Sequence, residues 1–476
     1  MRKILAYLSL LVILTVACKE PAPESVIIDI DITKTNGLIR ALNGGNLGPV
    51  CHLRMLDMTE EFMDLNIPVI RTHDVPWFSM PGVDIHTIFK DFRLDPNDES
   101  NYDFRQTDDY IASLIATGAD IVYRLGESIE HSENKYYINP PEDLEKWAAI
   151  CSGIIRHYNK GWAQGYHYDI KYWEIWNEPD IRPACWTGTD EEFLDLYKTV
   201  AQKIKSEFPE VKVGGPAMAH PIDVQDSISI PTDFTDKFLL MCRDNSIPLD
   251  FFTWHMYGDD PVKSGQRPGH VRKMLDAYGF TDTESHMNEW NYIPDNNWNA
   301  LMMEQGAIRK EAYTKQSGIR GAAFVAQVLM LLQDQPIDVA NFYTTTVGLF
   351  GIFSEYGEPQ KAYFALKAFA ELLETPKRIA LEYDKEDGLV FCAGINEDHS
   401  EISVLVSNFH KENRTFQLRF SNSDSMLPSK YELYVIDNSN NMSMVKETLI
   451  KGIDEFQIKE TMNGPSVFLI KIRSTR

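Results

Sequence analysis

A regular alternation between short apolar runs and longer amphipathic segments constrains this chain most strongly. Eight runs with strand character occupy residues 39–46, 67–74, 119–127, 169–179, 211–217, 249–257, 284–290 and 337–345. Helical periodicity is found at residues 59–66, 108–117, 141–160, 190–207, 233–244, 266–279, 304–333 and 360–374. Strands that alternate with helices indicate parallel pairing, and eight such units predict a closed (β/α)8 barrel.

An open, doubly wound sheet is the alternative arrangement for alternating strands and helices. Such a sheet would need a glycine-rich phosphate turn after its first strand. The sequence LNGGNLGP at residues 42–49 lacks the G-x-G-x-x-G spacing. The barrel is therefore the favoured fold.

The pattern changes after the last helical segment. Residues 376–476 contain short alternating runs separated by polar turns, which is typical of a β-sandwich. Residues 25–37 begin with the same alternation, in SVIIDIDIT, and are predicted to add a strand to that sandwich. The chain therefore divides into a barrel at 38–375 and a sandwich at 376–476 that includes the early strand.

The first 24 residues are a separate segment. Arg2 and Lys3 precede an apolar stretch at residues 4–14, and Ala17 stands before Cys18. This segment resembles a bacterial lipoprotein signal, which implies export, lipidation of Cys18 and a membrane anchor in the periplasm or at the cell surface. Secretion without a lipid and an ordinary N-terminal helix are the alternatives.

The net charge restricts the binding partners, and the spacing of cysteines and histidines bears on disulfides and metal sites. The chain has 46 basic and 70 acidic residues, a formal net charge of −24, which disfavours nucleic acid and anionic membrane surfaces as partners. Cys51, Cys151, Cys185, Cys242 and Cys392 are widely spaced, and the histidines do not cluster at ligand spacings. We expect neither a disulfide framework nor a metal or other cofactor.

Two Asn-Glu pairs stand at the ends of predicted barrel strands. The fourth strand ends in WNEP, with Asn177 and Glu178, and the seventh ends in MNEW, with Asn288 and Glu289. The carboxyl ends of barrel strands surround one shared pocket, so these carboxylates are predicted to face each other across it. A lone glutamate at a strand end is more often a solvated charge or part of a salt bridge.

Two opposed carboxyl groups are what cleavage of a glycosidic bond requires. One group protonates the departing oxygen, and the other attacks or stabilises the anomeric carbon. The two carboxylates at the strand ends therefore predict a carbohydrate as the substrate.

The sixth strand ends at His255 and Tyr257, whose side chains point the same way because strand side chains alternate.

The sequence YWEIWNEPD resembles the retaining glycoside hydrolases of the large (β/α)8 clan, and most closely family 39, the β-xylosidase and α-L-iduronidase family. The resemblance extends over residues 25–470 and implies a barrel joined to a β-sandwich. It implies that Glu178 is the general acid/base and Glu289 the nucleophile, so that the reaction is a double displacement. Glu178 would need a raised pKa, from its apolar surroundings and from the charge of Glu289.

The resemblance also assigns substrate-binding roles to neighbouring residues. Asn177 is expected to bind the sugar 2-hydroxyl, and Tyr257 to keep the nucleophile ionised. Arg71 is expected to orient a carboxylate, and pairing with an acid in a loop is the alternative. His73 and Asp74 are expected to contact the sugar. His255 either supports the nucleophile or the sugar, or is a buried structural histidine.

Several further side chains are weaker candidates. Glu127, Glu130, His131 and Glu133 follow the third strand, where solvation is favoured over substrate binding. Trp77, Trp186 and Trp290 are candidate stacking platforms for sugar rings, with core packing an equal alternative for the first two. Tyr166, His167 and Tyr168 precede the fourth strand and are expected at the opposite end of the barrel.

The eighth strand departs from the clan pattern. Members of the clan commonly carry a tryptophan there, and this chain has Phe342 and Tyr343 instead. The identity of the sugar is therefore left open between the activities of the family. A glycan-binding surface lipoprotein without catalysis, or a scaffold that acts through the sandwich, is the alternative to an enzyme.

Overall fold

Eight parallel strands close into a barrel. The computed structural model describes residues 25–51, 54–77, 80–225, 228–383, 388–423, 426, 428–450 and 456–475. With strands and helices numbered in chain order, the barrel strands are β3 (Gly44–Asn46), β6 (Val69–Thr72), β9 (Asp120–Leu125), β10 (Tyr172–Ile175), β11 (Lys212–Met218), β14 (Phe251–Gly258), β15 (Glu284–Tyr292) and β16 (Val339–Phe342). Pairing of β16 with β3 closes the ring, and the predicted barrel is confirmed.

The helices lie between these strands. They are α1 (Thr59–Met63), α2 (Ile85–Ile88), α3 (Arg105–Ile115), α4 (Leu144–Lys160), α5 (Asp190–Glu207), α6 (Asp233–Asp244), α7 (Pro261–Ala277), α8 (Trp298–Met302), α9 (Gly306–Ser317), α10 (Ile319–Leu331) and α11 (Lys361–Leu372). Single 3-10 turns occur at Glu99–Asn101, Trp162–Gln164, Pro294–Asn296 and Leu332–Asp334. Within the described ranges, no helix combines the length and apolarity needed to cross a bilayer.

Local sequence signals set several helix boundaries. Thr189 and Glu192 form a reciprocal capping box that begins α5, and Gly161 ends α4 with a positive φ of 72°. The single helix predicted over 304–333 is wrong, because α9 and α10 meet at Gly318. A side chain at this position would lie 2.4 Å from the carbonyl oxygen of Thr314, so the close approach at the break requires glycine.

The β-sandwich consists of two sheets. The seven-stranded sheet contains β2 (Thr35–Leu38), β17 (Lys377–Ile379), β18 (Leu389–Ile395), β19 (Glu401–Asn408), β24 (Ser466–Ser474), β21 (Ser429–Ile436) and β22 (Asn441–Ile450), in that order. The three-stranded sheet contains β1 (Val26–Asp31), β20 (Arg414–Ser421) and β23 (Phe456–Met462), and β1 pairs with β20 in parallel. Their facing side chains, such as Ile28, Val404 and Phe416, form one buried cluster.

The sandwich packs against the helical layer of the barrel. The side-chain amide of Gln327 on α10 donates to the carbonyl oxygens of Gly388 and Ser407, at 3.1 and 3.0 Å. The Ser407 hydroxyl donates back to the carbonyl of Ala323 at 2.9 Å. These contacts hold the sandwich beside α10.

In the described part of the chain, three short hairpins lie outside the two main units. They pair β4 (Val50–Cys51) with β5 (Leu56–Asp57), β7 (Pro76–Trp77) with β8 (Met80–Pro81), and β12 (Ile222–Gln225) with β13 (Ile228–Pro231). Each leaves the carboxyl end of a barrel strand, namely β3, β6 and β11 in turn. They therefore surround the barrel mouth.

Candidate active site

A strained turn at the end of β10 presents Glu178. Trp176 and Glu178 both have positive φ values, 72° and 46°, a conformation that side chains disfavour. Hydrogen bonds hold this turn: the indole N–H of Trp176 donates to the carbonyl of Cys185 at 2.9 Å, and the backbone N–H of Glu178 donates to the carbonyl of Ala217 at 3.0 Å. The surrounding backbone thus fixes the direction of the carboxyl group.

A β-bulge at the end of β15 places Glu289. Trp254 pairs with Met287 and His255 pairs with Glu289, so β15 has one extra residue, Asn288, at this point. As a result, Asn288 and Glu289 both direct their side chains into the barrel, where they contact other barrel residues. The bulge therefore sets the position of the second carboxylate.

Arg71 on β6 connects the two Asn-Glu pairs. Its guanidinium is fully buried and donates to Glu174 Oε2 at 2.6 Å, to Glu289 Oε1 at 2.7 Å and to Asn177 Oδ1 at 2.7 Å. It also donates to Asn46 Oδ1 at 3.3 Å, so one rigid guanidinium fork fixes the relative positions of four groups. Arg71 thus orients two carboxylates. One of them, Glu174, lies inside β10, and its position in the sequence gives no signal of this role.

Glu178 is nearly buried between a histidine and a thiol. Its Oε1 lies 2.8 Å from Nδ1 of His255, and its Oε2 accepts from the thiol of Cys185 at 3.6 Å. Burial raises the pKa of Glu178 to about 7, and the negative charge of Asp180 adds to this effect. A carboxyl group with this pKa holds its proton near neutral pH.

Glu289 is held by donors on both oxygens. Arg71 binds Oε1, and the hydroxyl of Tyr257 donates to Oε2 at 2.6 Å. Burial raises the pKa of Glu289 above its usual value, whereas His255, Arg71 and Tyr257 favour the ionised form. An oxygen of Glu289 lies within 4.8 Å of an oxygen of Glu178.

His255 lies between the two carboxyl groups. Its Nδ1 is 2.8 Å from Glu178 and 3.5 Å from Glu289. Burial lowers the pKa of His255 to about 4, so the imidazole is neutral near pH 7. Its Nε2 has no hydrogen-bond partner within the described part of the chain.

His73 and Asp74 lie beyond β6 at the same mouth. His73 is buried, with Nε2 3.4 Å from Asp74 Oδ1, and burial lowers its pKa well below the usual value. Asp74 accepts from the backbone N–H of Ile129 at 3.1 Å and from the hydroxyl of Tyr343 at 3.4 Å. Its side chain is 24% exposed, so it remains open to a ligand in the pocket.

The prediction that Trp290 is a sugar contact is wrong. The residue alternates with Glu289 on β15, so its ring points outward to the helical layer, packs edge-on against Phe342 and is 1% exposed. Trp77 and Trp186 are also fully buried in the core cluster. Of the two roles considered for them, sugar stacking and core packing, the structure supports core packing.

The aromatic surface at the mouth comes from other residues. The ring of Trp298 on α8 is 42% exposed and lies 4.9 Å from the ring of Tyr257, measured between centroids. Phe350 contacts Trp298 and Tyr343, at 6.0 and 6.1 Å, and Tyr343 contacts Tyr257 at 6.4 Å. The sequence missed this aromatic wall, which we define as Tyr257, Trp298, Tyr343 and Phe350, because its members come from three different strand ends.

A second buried cluster follows β9, in the stretch for which the sequence predicts solvated acids. That expectation is wrong for Glu127, which is buried and bonded to Nδ1 of His86. Burial raises the pKa of Glu127 to about 7. Glu130 is half-buried and accepts the backbone N–H groups of Tyr136 and Tyr137, both at 2.8 Å. His131 and Glu133 are exposed as expected, and Tyr166, His167 and Tyr168 lie at the amino end of β10.

Among the residues that the structure describes, two groups of side chains have the spacing of metal ligands. They are Glu178 with His255 and Glu289, and Asp84 with His86 and Glu127, each with ligand atoms within 4.8 Å. A buried arginine already compensates a carboxylate in each group: Arg71 binds Glu289, and Arg124 binds Asp84 at 2.5 Å.

A (β/α)8 barrel that directs two glutamates into one mouth, beside a β-sandwich, defines the class of barrel glycoside hydrolases. The family profile of glycosyl hydrolases family 39 matches residues 50–415. This chain therefore belongs to glycosyl hydrolases family 39, and the resemblance noted in the sequence is confirmed.

Curated relatives include two β-xylosidases. The one from Caldicellulosiruptor saccharolyticus is 26% identical over 329 residues, which cover 63% of this chain and 58% of that enzyme. The one from Geobacillus stearothermophilus is 24% identical over 180 residues, which cover 36% of this chain and 33% of that enzyme. The alignments thus span less than two thirds of either relative.

Solved structures share the whole two-domain fold. A glucosidase from Croceicoccus marinus superposes with a TM-score of 0.78 at 22% identity, over 95% of this chain and 100% of that one. A monomeric β-xylosidase from Caulobacter crescentus CB15 superposes with a TM-score of 0.68 at 16% identity, over 95% of this chain and 100% of that one. At these identities the likeness establishes the fold.

Proposed function

We propose that this protein is a retaining glycosidase in which Glu178 is the acid/base and Glu289 the nucleophile. The observation that carries the proposal is the pair of carboxyl oxygens within 4.8 Å of each other in the barrel mouth. Retaining enzymes hold their carboxyl groups about 5 to 5.5 Å apart, whereas inverting enzymes need about 6.5 to 9.5 Å to admit a water. A nearest oxygen pair within 4.8 Å leaves little room for a water between the two carboxyl groups, which supports double displacement.

The two environments suit the two roles. In the first step Glu289 attacks the anomeric carbon, the glycosidic bond breaks, and Glu178 gives its proton to the departing oxygen. In the second step Glu178 takes a proton from water, the water oxygen attacks the anomeric carbon, and the bond to Glu289 breaks. Burial supports the protonated form of Glu178, and the donors Arg71 and Tyr257 support the carboxylate of Glu289.

The charges around the mouth favour a neutral sugar. Asp74 and the carboxylate of Glu289, which Arg71 and Tyr257 hold in its ionised form, would repel a further negative charge in the mouth. Arg71 and Arg124 are fully buried and bound to carboxylates, which leaves neither for a uronate. Together with the β-xylosidase relatives, this supports a β-xylosidase-like activity rather than an iduronidase.

The aromatic wall supports the binding of a sugar ring. Trp298 exposes its ring next to Tyr257, whose hydroxyl holds the nucleophile. Apolar ring faces bind the C–H faces of pyranoses and thereby exclude water. In our proposal Asn177, His255, His73 and Asp74 complete the polar side of the pocket. The non-catalytic alternative has no support, because both carboxylates are present and face each other.

A panel of aryl glycosides tests the proposal. It contains 4-nitrophenyl β-D-xyloside, β-D-glucoside and α-L-arabinoside, with β-D-glucuronide as the anionic control. We expect at least one neutral glycoside to be cleaved with retention, which NMR detects as the anomer that forms first, and the glucuronide to be a poor substrate. Inversion, or a preference for the glucuronide, would contradict the assignment.

We also propose that the chain is exported and anchored through a lipid on Cys18. Residues 1–24 lie outside the described residues, and the support is their sequence, with a basic start, an apolar stretch and Ala17 before the cysteine. Mass spectrometry of the N-terminal peptide after expression in a bacterial host tests this. A diacylated Cys18 is expected, and a Cys18→Ala variant should leave the membrane fraction, whereas cleavage without lipid would indicate plain secretion.

A further inference from the structure

Cys185 contacts the candidate acid/base on the side opposite His255. Its Sγ lies 3.6 Å from Glu178 Oε2, whereas His255 faces Oε1. Cys185 is 3% exposed, so solvent does not reach Glu178 Oε2 from the side of the thiol. The two oxygens of Glu178 therefore have different fixed neighbours.

The backbone fixes the place of this thiol. The carbonyl of Cys185 accepts the indole N–H of Trp176, and its N–H donates to the carbonyl of Ile181 at 3.0 Å. The preceding carbonyl, of Ala184, accepts the N–H of Glu130 at 3.1 Å. Because both sides of the residue are tied to the fold, the contact with Glu178 follows from the loop geometry.

The thiol stays protonated and acts as a donor. Burial raises the pKa of Cys185, and the negative charges of Glu178 and Asp74 raise it further. An S–H group is a weak donor, and donation to a carboxylate favours the ionised form. Burial and the charges of Asp180 and Asp74 act in the opposite direction on Glu178.

We propose that Cys185 is a positioning residue for Glu178, whose thiol holds Oε2 and stabilises the carboxylate that must act as a base in the second step. This inference rests on the proposed role of Glu178 as acid/base. An acid/base needs both protonation states within one cycle, and the thiol favours the state that burial disfavours. The charged and titratable groups that face Glu178 are Arg71, Asp74, Asp180, Cys185, His255 and Glu289.

Two substitutions should move the pH profile in opposite directions. Cys185→Ala removes the donor, so the basic limb of kcat/KM for a phenyl glycoside should move to higher pH. Cys185→Ser supplies a stronger donor, so the same limb should move to lower pH. A move of about half a pH unit corresponds to a roughly threefold change in rate on the limb. The acid limb of kcat for a dinitrophenyl glycoside, which reports the second step, should move in the same direction as the basic limb.

Cys242→Ala is the matched control. Cys242 is also buried, but it lies on α6 outside the site, so this variant should keep the wild-type profile. Movement of both Cys185 variants in one direction, or of neither, would overturn the inference. If the alanine variant does not fold, the direction found for serine decides alone.

A titration without substrate separates this inference from the proposed function. The carboxyl resonance of Glu178 is followed against pH by 13C NMR in the full-length protein, and assigned by its loss in Glu178→Gln. The apparent pKa should rise in Cys185→Ala and fall in Cys185→Ser, even if no glycoside is cleaved. Cleavage by the wild type with an unchanged titration would refute the role of Cys185 alone.

Discussion

Two buried clusters at the barrel mouth have nearly the same composition but different surroundings. The first pairs Glu178 with His255, and the second pairs Glu127 with His86. In both, burial raises the pKa of the glutamate to about 7. Their pKa values alone would make the two glutamates equal candidates for the catalytic acid.

Access and a second carboxylate distinguish them. The side chain of Glu178 is 15% exposed, and a Glu289 oxygen lies within 4.8 Å. The side chain of Glu127 is 3% exposed, and the ring of Tyr137 stacks on its partner His86 at 3.5 Å. A raised pKa therefore indicates burial, whereas catalysis also requires access from the pocket and a second carboxylate that faces the first.

Removing the nucleophile should have the largest effect. Glu289→Ala leaves no group to form the covalent intermediate, so kcat should fall by about 10⁴-fold or more for every glycoside, including dinitrophenyl glycosides. Steady-state rates on the substrate found in the panel measure this. Near-native rates in this variant would show that another side chain is the nucleophile.

Removing the acid should depend on the leaving group. Glu178→Ala should reduce kcat/KM by about 10² to 10⁴-fold for phenyl glycosides, because the departing oxygen then receives no proton. For dinitrophenyl glycosides the first step should be nearly unaffected, and azide should restore turnover as a glycosyl azide. Equal losses for both leaving groups would refute the acid role.

Truncating the aromatic wall should weaken binding moderately. Trp298→Ala removes a half-exposed ring beside Tyr257, and a stacking contact is worth about 1 kcal/mol, so KM should rise roughly fivefold with a smaller change in kcat. Trp162→Ala is the control, because Trp162 lies in a 3-10 turn that precedes β10, at the far end of the barrel. Equal effects of the two variants would remove Trp298 from the substrate site.

Neutralising the second cluster should have the smallest effect. Since the raised pKa of Glu178 keeps it protonated up to about 7, kcat/KM for phenyl glycosides should fall as pH rises through that value. Glu127→Gln should leave this limb in place and change kcat/KM less than twofold. Loss of the limb in this variant would show that the two clusters had been assigned the wrong way round.

The sequence predicted the fold better than the direction of individual side chains. The eight strands and the two Asn-Glu pairs could be read from local periodicity and from position at the strand ends. Trp290 was misjudged because its outward direction follows from the alternation after the bulge at Asn288, which only strand pairing reveals. Glu127 was misjudged because its partner His86 is 41 residues away in the chain.

The aromatic wall and the contact between Cys185 and Glu178 also could not be predicted from the sequence. Tyr257 lies on β14, whereas Trp298 and Tyr343 follow β15 and β16, so their rings meet only when the barrel closes. Cys185 reaches Glu178 through a turn with two positive φ values, which no residue preference in WNEP predicts.

The sequence by itself determined the order of strands and helices and the two strand ends that carry Asn-Glu, because hydrophobic period and chain order are local properties. Only the tertiary structure decided how close the two carboxylates lie, which tryptophans are buried and which oxygen of Glu178 each neighbour contacts. The physical reason is that burial, charge and hydrogen bonding depend on distances of a few ångströms between residues that the chain order keeps far apart.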